Sequence, residues 1–160
     1  MFNYSNRTAL VTGASRGIGK EIASILAKNG IKVIGVATSE KSLESINNME
    51  NIIPLSCDIS NEQSVENLYN SIKEHSDSID ILVNNAGIHM DNILLRMDTE
   101  EWKKVLDVNL NGPFYLTKIL LKDMIKNKQG RIINISSISG TDGNKGQSNY
   151  AASKGGLLAF

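Results

Sequence analysis

A tyrosine and a lysine near the end of the chain have the spacing of an acid catalyst and its cationic partner. Tyr150 and Lys154 are four residues apart, so they share one face of any helix that contains both. An ammonium beside a phenol favours the phenolate, which makes the phenol a usable general acid near neutrality. The same spacing is also typical of a pair on a helix surface without a chemical role, and both interpretations stay open on spacing alone.

A serine upstream of this pair stands where a substrate carbonyl would be bound. Ser137 follows a strand predicted over residues 131–135, at the carboxyl edge of a sheet, and its hydroxyl is a hydrogen-bond donor. Ser136 and Ser139 are neighbouring candidates for the same role.

Three glycines lie in the segment TGASRGIG, residues 12–19, between an apolar run and a helical pattern. Glycines let the backbone approach a phosphate, and a helix N-terminus offers free N–H groups and the positive end of a dipole. The spacing differs from the commoner G-x-G-x-x-G, and such glycines can also serve the turn alone. Their place between the first strand and the first helix predicts binding of a dinucleotide pyrophosphate.

The second predicted strand ends without a carboxylate. Folds that select NAD place an acidic side chain there for the ribose hydroxyls, whereas this chain has Ala37, Thr38 and Ser39. A 2′-phosphate would receive a charge-assisted bond from Arg16 and a hydroxyl bond from Thr38. NADP is therefore predicted over NAD. The alternative is that Arg16 is a solvated residue of the turn and that Thr38 caps a loop.

Asparagines mark two further positions. Asn84 and Asn85 directly follow the fourth predicted strand, where they either cap the strand end or line a ligand cleft. Asn109 lies four residues before Pro113, which has no N–H to donate to the Asn109 carbonyl. That free carbonyl either lets the helix bend or holds an ordered water.

Strands and helices alternate along the chain, which predicts a parallel sheet covered on both faces. The apolar runs predict strands at residues 8–11, 32–37, 52–57, 79–84 and 131–135. Helical patterns begin at Ile18, at Glu40 (to Asn47), at Ser60 (to His75) and at Asp98 or Thr99 (to about Gly130). Ser60 with Gln63 predicts a capping box, and Gly140 to Asn149 predicts a loop.

Composition narrows the class of partner. The 17 basic and 17 acidic side chains cancel, which argues against nucleic acid or an anionic membrane as a ligand. No apolar stretch approaches the roughly 18 residues of a membrane span, and the N-terminus lacks a signal-peptide pattern. A cytoplasmic protein without a metal site is predicted, and the single cysteine, Cys57, precludes an internal disulfide.

Together the motifs resemble the short-chain dehydrogenase/reductase family over the whole chain. TGASRGIG, NNAG, NLNGPF, NISS and YAASK occur in that family's order and spacing. The stretches NNAGIHMDNILLRM and GTDGNKGQSNYAASKGG are similar to its bacterial 3-oxoacyl-acyl-carrier-protein reductases. The resemblance implies the α/β class, with a Rossmann-like doubly wound parallel sheet and one NADP-binding domain over residues 1–160.

The resemblance also assigns roles. Tyr150 would be the proton donor, Ser137 would orient the ketone, Lys154 would hold the nicotinamide ribose and tune Tyr150, and Asn109 would hold a water of a proton relay. The implied contacts to NADPH are Gly13, Ala14, Ser15, Arg16, Ile18, Thr38, Asp58, Ile59, Asn85, Tyr150 and Lys154.

The implied reaction is NADPH-dependent reduction of a 3-oxoacyl-acyl-carrier-protein thioester in fatty acid biosynthesis, by a homodimer or homotetramer. Alternatives are a relative that acts on a sugar, polyol or steroid, and a non-catalytic NADP-binding fragment. Family members continue beyond the position of Lys154, so we expect this chain to be a fragment truncated after the fifth strand and the start of the next helix. The basic stretch 126–131 corresponds to a region where relatives bind the acidic carrier protein. The alternative is that these residues only complement the dipole at the end of a helix.

Overall fold

A five-stranded parallel sheet forms the centre of the protein in a computed structural model that describes residues 6–160. The strands are β1 (Thr8–Thr12), β2 (Lys32–Ala37), β3 (Ile52–Ser56), β4 (Ile81–Asn84) and β5 (Arg131–Asn134). Their order is β3-β2-β1-β4-β5, and every pairing is parallel. The order reverses between β1 and β4, which is where open parallel sheets bind ligands beyond their carboxyl ends.

Helices pack on both faces of this sheet. Those in the described residues are α1 (Gly17–Lys28), α2 (Glu40–Leu43), α3 (Glu62–Lys73), α4 (Thr99–Leu106), a π segment (Asp107–Asn111), α5 (Gly112–Lys126), α6 (Ser139–Asp142) and α7 (Ser148–Ala159). Within residues 6–160, none of them is long and apolar enough to cross a membrane.

Alternating side chains divide the core into two layers. Leu10 of β1 packs with residues of α3 and α5, including Leu68 and Leu120. Its neighbours Ala9 and Val11 pack on the opposite face with Ala23 of α1 and other residues. Because both faces of β1 are buried, its sequence is apolar throughout rather than alternating. The predicted α/β class and Rossmann-like doubly wound sheet are confirmed.

Two helix predictions need correction. The cap of α3 is Asn61, whose Oδ1 accepts the Ser64 N–H at 2.9 Å. Ser60 is not available as a cap because its N–H and its hydroxyl both donate to Asp58 Oδ1. The helix predicted from Glu40 to Asn47 ends at Leu43, and the chain continues as tight turns that bury Ile46.

The predicted loop from Gly140 to Asn149 is also partly helical. A short helix, α6, covers Ser139–Asp142 and ends at Gly143, whose φ is +72°. A Cβ on Gly140 would lie 2.7 Å from the Lys154 carbonyl carbon, so this glycine lets α6 lie directly against α7.

The long helix predicted from Asp98 onward is present but interrupted. Asp98 caps it in a reciprocal box with Glu101. In the π segment the Gly112 N–H bonds to the Asp107 carbonyl, five residues back instead of four. The break lies immediately before Pro113, as expected where a proline N–H is missing.

The outer strand β5 leaves apolar side chains exposed. Ile132 and Ile133 are 39% and 45% accessible, so this edge of the sheet is apolar.

Candidate active site

The candidate catalytic residues gather at the carboxyl edge of β4 and β5. A Cβ placed on Gly87, just beyond β4, would lie 3.3 Å from Asn109 Oδ1 and 3.5 Å from Lys154 Nζ. Helix α7 packs against α4, α6 and the π segment, which brings the residues after Ser148 to this edge. The structure therefore brings Asn109 and Lys154 together across 45 positions of sequence.

Asn109 lies in the π segment and is fully buried. Its Oδ1 accepts the Ile88 N–H at 2.8 Å, and its Nδ2 donates to the Ile88 carbonyl at 2.9 Å and to Ser153 Oγ at 3.0 Å. The side chain thus joins the loop after β4 to helix α7. The predicted water on its main-chain carbonyl stays a prediction.

Lys154 is only 3% exposed, and no ion pair compensates its charge among the described residues. Its Nζ donates to the Ile135 carbonyl at 2.7 Å and lies 5.9 Å from the centroid of the Tyr150 ring. Burial lowers the pKa of this ammonium below that of an exposed lysine.

Tyr150 lies in the first turn of α7 and is half-buried. Its N–H bonds to the Asn149 side chain at 2.7 Å, and Asn149 Nδ2 donates to the Met90 carbonyl at 2.9 Å. The Tyr150 hydroxyl has no hydrogen-bond partner within residues 6–160. The backbone is held firmly, while the phenol remains available to a ligand.

Three neighbouring serines competed for the carbonyl-binding role. The Ser136 hydroxyl donates to the Lys154 carbonyl at 2.9 Å, and the Ser139 hydroxyl to Gln147 Oε1 at 3.4 Å. Ser137 Oγ accepts the Ser139 N–H at 3.2 Å, and its own proton has no acceptor in the described part of the chain. Of the three, only Ser137 keeps a hydroxyl proton free for a substrate.

The glycine loop lies at the same edge, beyond β1. Gly13 and Gly17 have φ angles of +64° and +54°, and a side chain on Gly19 would collide with the Gly13 carbonyl oxygen. Helix α1 begins at Gly17 without a side-chain cap or an acidic residue in its first turn. An added Cβ on Gly17 would meet nothing within 4 Å, so the turn is open there, and binding of a pyrophosphate stays a prediction.

Hydrogen bonds from two residues brace this loop. Thr12 Oγ1 accepts the N–H groups of Asn85 and Ala86, each at 3.0 Å. Asn85 Nδ2 donates to the Thr12 carbonyl at 2.8 Å, so this amide nitrogen faces the loop backbone. Sequence reasoning missed Thr12, although its position directly before Gly13 was a usable signal.

The predicted adenosine contacts lie further along the edge. Arg16 and Thr38 are exposed and line one cleft of about 680 Å³ with Ser15. Ile18 is 66% exposed. Asp58 is exposed, while Ile59 is buried against Gly112. The basic stretch 126–131 leads into the start of β5, at the opposite edge of the sheet.

Comparison with known proteins agrees with this architecture. The family model described as short chain dehydrogenase matches residues 7–160. The chain is 48% identical to the 3-oxoacyl-acyl-carrier-protein reductase FabG of Vibrio cholerae, 47% to that of Escherichia coli and 45% to that of Buchnera aphidicola. Each match covers 99% of this chain and 66% of the relative's length. The chain belongs to the short-chain dehydrogenase family.

Proposed function

We propose that this chain carries the catalytic residues for NADPH-dependent reduction of a 3-oxoacyl-acyl-carrier-protein thioester to the 3-hydroxyacyl product. The observation that carries the proposal is the pair of free hydroxyls. Ser137 and Tyr150 keep their protons unpaired within the described residues, whereas the polar groups around them are hydrogen-bonded. A free phenol whose ring centroid lies 5.9 Å from a buried cation, together with a free serine hydroxyl beyond β5, suits a carbonyl oxygen that becomes negative.

Each side chain has a distinct part in this chemistry. Bound NADPH supplies the hydride that becomes the new C–H bond at C3. Ser137 donates a hydrogen bond to the ketone oxygen, and Tyr150 transfers its phenolic proton to that oxygen, completing the alcohol. Lys154 stabilises the phenolate left behind and binds the nicotinamide ribose. Asn109 holds the site together through Ile88 and Ser153.

NADPH rather than NADH is proposed because no carboxylate follows β2. Thr38 and Ser39 occupy the place where an acidic side chain would bind the ribose hydroxyls. Arg16 lies across the same cleft and forms no ion pair in the described part of the chain. The proposed cofactor contacts remain the eleven residues given above, with Asn85 reaching the ribose only through its unused amide oxygen.

The acyl-carrier-protein substrate rests on the names of the relatives, which are reductases of 3-oxoacyl-acyl-carrier-protein. The test is NADPH oxidation by the purified chain with an acetoacetyl thioester, beside Tyr150→Phe. Turnover that disappears in the variant supports the proposal. Oxidation of a sugar, polyol or steroid instead would assign another substrate, and NADPH binding without turnover of any of them would indicate a binding role.

We also propose that the chain self-associates through the outer face of α5. Phe114, Leu121 and Ile125 form one exposed apolar stripe there, and the Phe160 ring lies 6.5 Å from that of Phe114. Light scattering after size exclusion should give a dimer or tetramer, and Leu121→Glu should shift it to a monomer. A wild-type monomer would contradict this proposal.

A further inference from the structure

The cleft that contains Arg16 and Thr38 also contains a second cation. Lys41 of α2 lines it together with Ser42, Glu44 and Ser45. Lys41 is exposed, and neither it nor Glu44 forms an ion pair among residues 6–160, although they are only three residues apart. Its ammonium is therefore available to a ligand in this cleft.

The position of Lys41 is set by the segment around it. Ser39 caps α2 by accepting the Ser42 N–H, and Leu43 is buried in the core beside α1. The Ser45 hydroxyl donates to the Ser15 carbonyl at 2.5 Å, which ties this segment to the residue beside Arg16. Lys41 is thus held on the wall of the cleft across from the glycine loop.

Most other polar groups in the cleft have partners, are uncharged or carry a negative charge. The Ser42 and Ser39 hydroxyls bond to each other at 2.7 Å, and the Ser45 hydroxyl is used by Ser15. Arg16, Lys41 and the hydroxyls of Ser15 and Thr38 remain as side-chain donors without a partner among the residues described here, and of these Arg16 and Lys41 are the cations. Glu44 contributes one opposing negative charge.

Charge balance then points to the role of Lys41. A phosphate monoester carries a charge of about −1.5 to −2 near neutrality. Arg16 supplies a single positive charge, which Glu44 offsets, and the net charge of zero on the whole chain adds no attractive field. We propose that Lys41 is the second cation that binds the 2′-phosphate of NADPH, and that Glu44 opposes it. This inference rests on the proposed choice of NADPH.

Equilibrium binding tests the proposal without requiring turnover. NADPH and NADH are titrated against the purified chain, followed by the fluorescence of the nicotinamide. Lys41→Gln should weaken NADPH binding about tenfold and change NADH binding less than about twofold, while Lys41→Arg retains NADPH affinity. Glu44→Gln should tighten NADPH binding about threefold and leave NADH unchanged.

A matched control is Lys28→Gln, which removes the same charge from an exposed position at the far end of α1. It should leave both affinities unchanged. If the wild type prefers NADPH but Lys41→Gln weakens NADPH and NADH binding equally, or weakens neither, the proposed role of Lys41 is overturned and the proposed cofactor is not. A wild-type chain that does not prefer NADPH would overturn both this inference and the proposed cofactor.

Discussion

The two halves of the carboxyl edge hold their side chains in opposite ways. On the reaction side, defined by Asn109, Ser137, Tyr150 and Lys154, the anchoring groups are buried and hydrogen-bonded. On the cofactor side, defined by the glycine loop, Arg16, Thr38 and Lys41, the backbone is braced while the charged ends are exposed.

This difference matches two kinds of task. Proton transfer requires atoms to be held within a few tenths of an ångström, which buried hydrogen bonds achieve. Recognition of a phosphate charge tolerates flexible side chains, because Coulomb attraction falls slowly with distance. Substitutions of the buried, hydrogen-bonded groups on the reaction side should therefore affect stability, substitutions of its free hydroxyls should affect chemistry, and substitutions on the cofactor side should affect affinity alone.

Tyr150→Phe is expected to produce the largest effect. It removes the proposed proton donor, so kcat/KM for an acetoacetyl thioester should fall about a thousandfold. Because the phenol hydroxyl has no partner in residues 6–160, NADPH affinity and the melting temperature should stay as in the wild type. A large loss of stability would show that the hydroxyl has a structural role on the reaction side.

Asn109→Ala should have the next largest effect, measured as the free energy of unfolding in urea. It leaves the partly buried Ile88 N–H without its Asn109 acceptor and removes two more hydrogen bonds, a loss of about 3 kcal/mol. Asn111→Ala in the same π segment is the control. Among residues 6–160 its side chain bonds only to Asp107 Oδ1, at 2.8 Å, and the variant should lose less than about 1 kcal/mol. Equal losses of unfolding free energy in the two variants would contradict the role of Asn109 in holding the site together.

Local patterns in the sequence predicted the strands and helices well, but they predicted poorly the hydrogen bonds that hold the site together. The five strands, the glycine loop and the Asp98 cap each depend on residues within one short segment, where periodicity and turn chemistry act. The hydrogen bonds that hold the site together join residues far apart in the sequence, as Asn109 joins Ser153 over 44 positions. The local spacing of residues does not predict such contacts.

Errors in the predicted elements arose where two local interactions compete. Ser60 matches a capping pattern, yet Asp58 takes its N–H and hydroxyl, and the cap moves to Asn61. Similarly, three adjacent serines look equivalent in sequence. Only the hydrogen bonds formed after folding distinguish Ser137 from its neighbours.

Arg16→Ala tests the cofactor side by itself. Removing one exposed cation should weaken NADPH binding about thirtyfold, since a charge-assisted bond to phosphate is lost, and should weaken NADH binding less than about threefold. The melting temperature without nucleotide should not change, because the Arg16 side chain forms no hydrogen bond with the described residues that could be lost. Titration by nicotinamide fluorescence and a thermal melt give both quantities. Equal weakening of the two nucleotides would contradict the 2′-phosphate assignment.

Buried Lys154 should give the smallest effect, visible as a pH dependence. Its pKa is lowered by burial in the folded state, whereas the unfolded chain has the ordinary value of about 10.4. Between these two values the unfolded state binds more protons, so this lysine makes stability rise with pH. The free energy of unfolding of the wild type, minus that of Lys154→Met, should increase from neutral pH to pH 10. Lys104→Met removes an exposed lysine and is the control for loss of a surface charge. A flat or falling difference at Lys154 would contradict its burial as a cation.

The π segment sets the angular phase between two parts of one long helix. Each residue added to a helix turns everything after it by about 100°. Before the segment, α4 packs on α7, and after it α5 packs on α3 with Leu116, Leu120 and Met124 in the core. Deleting one residue from 107–111 would turn that apolar stripe away from the sheet while α4 stayed in place. The additional residue therefore allows one helix to face the reacting groups with one half and the hydrophobic core with the other.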